Sequence, residues 1–256
     1  MYTKKITILG SGNVAFHLCR AFRKSNVPVT QLYSRNREKG RLLAEAVGAA
    51  FSESVEALAD TDIYILAVSD SAIGEILSRR TWNNRIILHT AGSVPMAILA
   101  AHSASHGVFY PLQSFSEQRE LDYSIIPFCL EASDNKVMGA IKELAMAVSL
   151  HQYEISTDQR LHIHISAVFA SNFVNHMYAI AQAVSAGKKI PADLFAPLIR
   201  ETTAKALECG PVDSQTGPAR RKDKAVMDSH IKMLEGHPDW QKIYTFVSES
   251  IGNFYT

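Results

Sequence analysis

The sequence predicts an α/β protein in which a doubly wound parallel sheet is followed by an all-helical C-terminal domain. Three observations carry this expectation. Short apolar runs alternate with helical periodicity up to about residue 153, which is the pattern of repeated strand–helix units. Closely spaced glycines stand directly after the first apolar run. From about Ser156 the strand signals cease and helical spacing continues to the end. The expected division of the 256 residues is therefore 1–153 for the sheet domain and 154–256 for the helical one.

The first run, Lys5-Ile6-Thr7-Ile8-Leu9, reads as a buried parallel strand leading into Gly10-Ser11-Gly12-Asn13-Val14-Ala15. This is the Rossmann-type dinucleotide fingerprint in its strand–turn–helix context. Gly10 permits the tight turn, Gly12 removes a Cβ from the path of a pyrophosphate, and Ala15 lets the helix pack closely. Val29–Tyr33 is the second strand, ending where an NAD site would place an acid on the ribose. Here the chain has Ser34-Arg35-Asn36-Arg37 instead, and Arg35 with Ser34 and Asn36 offers charge and donors for a 2′-phosphate. NADP is the expected cofactor, the plainer alternative being a solvated turn.

The later elements follow the same alternation. Arg37–Val47 is expected as a helix with Leu42, Leu43 and Ala46 inward; Asp62–Val68 and Arg85–His89 are apolar strands. Gly107–Tyr110 and Pro127–Leu130 are shorter strand candidates, and 134–150 is a helix with Val137, Ile141, Leu144 and Val148 inward. In the second half, helices are expected over Asp158–Ala186, Pro191–Cys209, Ala219–Leu234 and Asp239–Tyr255.

Composition excludes several classes. A net charge of +1 supplies no field for nucleic acid or an acidic membrane. Cys19, Cys129 and Cys209 are scattered and odd in number, which fits free thiols in a reducing compartment. A strand within four residues of the start leaves no room for a signal peptide, and no apolar run approaches a membrane span, so the expected location is cytoplasmic.

Candidate chemistry gathers at the strand ends, where doubly wound sheets bind ligands. Val68, Ser69 and Asp70 are expected beside the ribose and nicotinamide, with helix capping as the alternative role. His89-Thr90-Ala91-Gly92-Ser93 offers an acid–base histidine, Thr90 and a glycine open to the nicotinamide; a structural histidine is the alternative. Gln113 lies in the polar-aromatic loop 110–115. On the first long helix of the second half, His164 and Asn172 fall on one face and His176 on another, a costly set of polar groups to bury without partners. His162 and His164 are two apart, face differently and lack a third ligand, so no metal is expected. The run from Gln215 to Asp223 presents a Thr-Gly-Pro turn with Arg220 and Arg221, suited to an anion.

The segments 10–15, 33–36, 89–93, 109–115, 171–176 and 216–223 together resemble the bacterial Rossmann-like NADP oxidoreductase family whose C-terminal helical domain was long of unknown function. More distantly the chain is similar to pyrroline-carboxylate, ketopantoate and deazaflavin-dependent NADP reductases and to hydroxyacid dehydrogenases. The resemblance implies NADP between the sheet and the helical domain and a homodimer. One departure matters: the dehydrogenases and ketopantoate reductases use a lysine on that first long helix, and residues 151–187 contain none. The expected activity is hydride transfer between NADP(H) and a small polar carbonyl or imine in the interdomain cleft. His164, Asn172 and His176 are its catalytic candidates, with His89, Gln113 and Arg220 on the substrate. A non-catalytic NADP sensor is the alternative from another class, and a deazaflavin:NADP reductase a second enzymatic one.

Overall fold

The computed structural model describes residues 2–82 and 85–255, which divide into two compact units, Met1–Asn172 and Phe173–Thr256. The first unit carries eight strands: β1 (Ile6–Leu9), β2 (Val29–Tyr33), β3 (Ala50–Ser52), β4 (Ile63–Leu66), β5 (Ile86–His89), β6 (His106–Pro111), β7 (Phe128–Ala132) and β8 (Gln152–Glu154). Their spatial order is β3-β2-β1-β4-β5-β6-β7-β8. Pairing is parallel throughout except between β6 and β7. The exception has a local cause: residues 112–127 hold only a short 3₁₀ turn, and a parallel return needs a longer crossover, usually a helix. The doubly wound class is as expected, while β8 had no separate signal in the sequence.

Helices α1 (Asn13–Lys24), α2 (Arg37–Val47), α3 (Asp70–Ser78) and α4 (Asn135–Met146) cover the sheet. Alternate residues of β4 serve opposite faces: Ile63 and Ile65 join one core with Leu18, Phe22 and Ile141, and Tyr64 and Leu66 join another with Ile73 and Trp82. The inward stripe expected on α4 is buried as predicted, Val137, Ile141, Leu144 and Val148 all lying inside. That on α2 is not. Leu42 is 61% exposed and Ala46 exposed, whereas Gly40, Leu43 and Ala44 face inward. Gly40 sets the phase, because a Cβ there would stand 2.6 Å from both Phe51 and Ser34.

Helix α5 (Thr157–Ala167), expected in the helical domain, lies in the first unit. Ser156 and Gln159 form a capping box at its start. It passes into a π-helical segment, Val168–Phe173, and α6 follows over Val174–Ala186. The second unit continues with α7 (Ala196–Glu208), the single turn α8 (Pro211–Ser214), α9 (Lys224–Met233) and α10 (Pro238–Phe254). Helix α9 starts later than the expected Ala219 because Asp223 caps it, its carboxylate accepting from Val226 N at 3.2 Å. Among the described residues no helix is long and apolar enough to cross a membrane, and no His/Cys/Asp/Glu cluster could hold a metal ion.

Candidate active site

The first cleft lies at the C-terminal ends of β1, β2 and β4. Gly10 has φ +128°, and a Cβ there would meet Ala67 O at 2.1 Å, so the turn requires glycine. A Cβ on Gly12 would meet nothing, so its bare backbone opens onto the cleft. Helices α2, α4 and α5 are capped by Asn36, Asp134 and Ser156. Helix α1 has no side-chain cap and no acid in its first turn, leaving its amides for an anion. Gly10, Ser11, Gly12, Asn13, Val14, Ser34, Arg35, Asn36, Val68 and Ser69 line this cleft of about 370 Å³, with Tyr33, Ala67 and Ile76.

Not all of these side chains are free. Ser34 Oγ bonds Ser11 Oγ at 2.7 Å and accepts from Asn36 N at 3.0 Å, tying the glycine turn to the end of β2. Asn36 accepts from Lys39 N at 3.0 Å as the cap of α2. Arg35, 61% exposed, reaches Glu75 at 3.5 Å. Ser69 makes no capping bond, so the capping role considered for it is absent; Asp70 accepts from Ser93 instead. Thr90 continues the β4–β5 ladder, its amide and hydroxyl both donating to Leu66 O.

A second cleft of about 770 Å³ shares Asn13 and Val14 with the first. It is walled by Tyr110, Leu112, Gln113, Ser114 and Phe115 after β6, and by His162, Ile163, His164, Ser166, Ala167, Val168, Ala170, Ser171 and Asn172. No aspartate, glutamate, lysine or arginine is among them. The loop after β6 is pinned to α1: Asn13 Nδ2 donates to Phe115 O at 3.0 Å, and buried His17 donates from Nε2 to Ser116 O at 2.9 Å. His17 Nδ1 pairs with the Tyr123 hydroxyl at 3.0 Å. The π-helical segment adds a residue to its turn, and Ser171 and Asn172 border the same cleft as His164.

Three elements meet beside this cleft. Tyr110 Oη lies 3.3 Å from His164 Nδ1, and a Cβ on Gly92 would stand 2.4 Å from that nitrogen and 3.0 Å from Tyr110 Cζ. The room that Gly92 leaves is thus filled by His164 and Tyr110. Burial, reinforced by Cys129 and opposed by Arg160, raises the Tyr110 phenol above its usual range.

Arg160, one turn before His164, carries no motif that points to a role. It is fully buried. Its Nη1 donates to the carbonyls of Ala91, Gly92 and Val94 at 3.0, 3.0 and 2.8 Å, and Nη2 to Glu131 at 3.2 Å. Thr157 donates to the other Glu131 oxygen at 2.6 Å. His89 lies under this knot, fully buried, with Nδ1 accepting from Ala91 N at 3.2 Å. Desolvation first, and the Arg160 guanidinium second, lower its pKa to about 4. The acid–base role considered for His89 is therefore corrected: near neutral pH it is an uncharged structural group. Gln113, exposed, uses its Oε1 to accept from Ser114 N at 2.8 Å.

His176 and Arg220 belong to the second unit. His176 is exposed on α6. Arg220 donates to Tyr255 O at 2.8 Å and stands 5.1 Å from that ring. An apolar cavity of about 540 Å³ in this unit is lined by residues such as Met177, Phe195, Trp240 and Val247.

The family described as "NADP oxidoreductase coenzyme F420-dependent" matches residues 5–92, and a "Domain of unknown function (DUF2520)" matches 126–251. The crystal structure of a "putative NADP oxidoreductase" from Bacteroides fragilis is 38% identical, covers 98% of each chain and superposes with a TM-score of 0.92. The chain belongs to this NADP oxidoreductase family. Its cofactor is NADP. A reductive aminase from Aspergillus terreus, in complex with NADPH and ethyl levulinate, is 14% identical over 97% of this chain and 94% of its own, with a TM-score of 0.72. An imine reductase from Myxococcus stipitatus, in complex with NADP+, is 14% identical over 97% and 92%, with a TM-score of 0.68. Both share the fold. No curated protein sequence matches the chain.

The buried neutral His89 has a consequence for acid stability. Its folded pKa of about 4 lies below the unfolded value of about 6.5, so the unfolded chain binds the extra proton as pH falls through that window. The folded state should lose about 3 kcal/mol from this group between pH 6.5 and 4. Urea unfolding across that range should show a shallower decline for His89→Asn than for the parent. Parallel declines would contradict the assignment.

Proposed function

We propose that the protein is an NADPH-dependent reductase of a small carbonyl or imine, with the cofactor in the first cleft and the substrate in the second. When bound, NADPH supplies a hydride to the carbon of a C=O or C=N bond. The chain's residues do the rest. The backbone of Gly12, Asn13 and Val14 holds the pyrophosphate against the uncapped start of α1, and Arg35 takes the 2′-phosphate. His164 bonds the substrate oxygen or nitrogen through Nε2–H and, when its ring is charged, transfers that proton and keeps the one on Nδ1, taking the part the absent lysine plays elsewhere; Asn172 orients the substrate.

The observation that carries this reading is the hold on His164. Its Nδ1 edge is fixed against Tyr110 and Gly92, which leaves Nε2 as the ring nitrogen available to a cleft that shares two residues with the cofactor's own.

The second unit supports a homodimer. Helices α7, α9 and α10 bury no residue, while Leu198, Leu207, Phe246 and Phe254 are between 63% and 82% exposed. A helical unit without a core needs an apolar partner, and a second copy presents the matching surface. Light scattering should give twice the mass of one chain; a stable folded monomer would overturn this part.

Further outcomes concern cofactor affinity and turnover. Arg35→Ala should cost about tenfold in NADPH affinity and nothing in NADH affinity. Glu75→Gln, which frees Arg35 and removes a repelling carboxylate, should tighten NADPH about two- to fivefold. Equal NADPH and NADH affinities in the parent would sink the phosphate assignment. NADPH oxidation screened against small ketones, aldehydes and cyclic imines should find turnover, and His164→Asn should reduce it at least about a hundredfold with NADPH binding intact. Tight NADPH binding without turnover on any of them would favour a sensor.

A further inference from the structure

Tyr110 has no assigned role, yet it meets the one side chain on which the proposed chemistry turns. Its phenol is half-buried at the end of β6, and burial raises its pKa, so it keeps its proton through the working range. Among the described residues its hydroxyl has one hydrogen-bond partner, His164 Nδ1 at 3.3 Å. A protonated phenol with a single acceptor in reach donates to it. The neutral imidazole then accepts at Nδ1 and must carry its proton on Nε2.

We propose that Tyr110 is a positioning residue that fixes the tautomer of His164, so that Nε2 carries a proton towards the second cleft in both charge states of the ring. When the ring is neutral, the phenol donates into Nδ1. When the ring is charged, Nδ1–H donates to the same phenol oxygen, whose hydroxyl rotates away. Nε2–H is present either way. Without Tyr110, the neutral ring is free to hold its proton on Nδ1, facing Gly92, and to present a bare Nε2 with no hydrogen to bond the substrate.

Two surrounding features hold the pair together. Gly92 provides the space: its missing Cβ is what lets the imidazole stand beside the phenol. Arg160 holds the carbonyl of Gly92 from beneath and sits one turn before His164 on the same helix, so loop and helix are locked in one register. The inference rests on the reading of His164 as proton donor for its functional meaning, but its structural content stands separately.

The test reads the ring directly. Two-bond nitrogen–proton NMR spectra of the ¹⁵N-histidine-labelled free protein, taken where His164 is neutral and assigned with His164→Asn, should show one tautomer, with Nδ1 unprotonated. In Tyr110→Phe the Nδ1 resonance should shift towards the averaged position of an exchanging pair, with an unchanged far-ultraviolet circular dichroism spectrum as a check on the fold. A wild-type ring protonated on Nδ1 overturns the proposal even if the variant fails to fold, and identical spectra in parent and variant overturn it equally. If the tautomer behaves as expected but His164→Asn turns over substrate normally, the proposed function fails and the tautomer assignment stands.

Discussion

The guanidinium of Arg160 is the constraint on which the active end of the sheet unit depends. An arginine with no solvent exposure is costly to bury unless nearly every donor is matched, and this one has three backbone carbonyls and a carboxylate around it. Those carbonyls belong to the loop that follows β5, at the point where a doubly wound sheet presents its ligand. The bonds therefore join the loop to α5 and, through Glu131, to β7. His89 stays neutral under that charge, Gly92 is fixed in place, and His164 comes to rest against Tyr110. Replacing the network with apolar contacts could keep a core of similar stability, but it would not hold a peptide loop and a helix in one register.

A parallel economy links the two clefts. Asn13 begins the helix whose uncapped amides face the first cleft, and its side chain pins the loop that walls the second. His17, one turn later, holds the same loop through Ser116 and stacks on Phe115 at 4.8 Å. One helix thus positions both the anion cradle and a wall beside it, so the two sites inherit their spacing from α1.

How much of this was legible follows from the range of the interactions. The turn at Gly10–Ala15 is a local device whose residue types and spacing are its mechanism, and it stands where expected. His164 was legible as a polar side chain on an apolar helix. Its partners were not: Tyr110 is 54 positions away, and Glu131 is 29 from Arg160, and no periodicity encodes such pairings. Ser34, Asn36, Asp70 and Thr90 drew attention as polar residues near strand ends, but their side chains largely satisfy neighbouring groups of the chain, as short polar side chains often do. Leu42 reads as inward because leucine is apolar, whereas the close approach at Gly40 decides the phase of α2.

The central claim is that the two clefts sharing Asn13 and Val14 form one path, with the phosphate end at Arg35 and the hydride end at His164. A crystal structure with NADP+ bound tests it most directly. The account predicts the 2′-phosphate on Arg35, the pyrophosphate on the amides of Gly12–Val14, and the nicotinamide ring entering the second cleft beside Tyr110 and His164. A nicotinamide ring turned away from His164, or an adenosine end lodged against Tyr110, would contradict it.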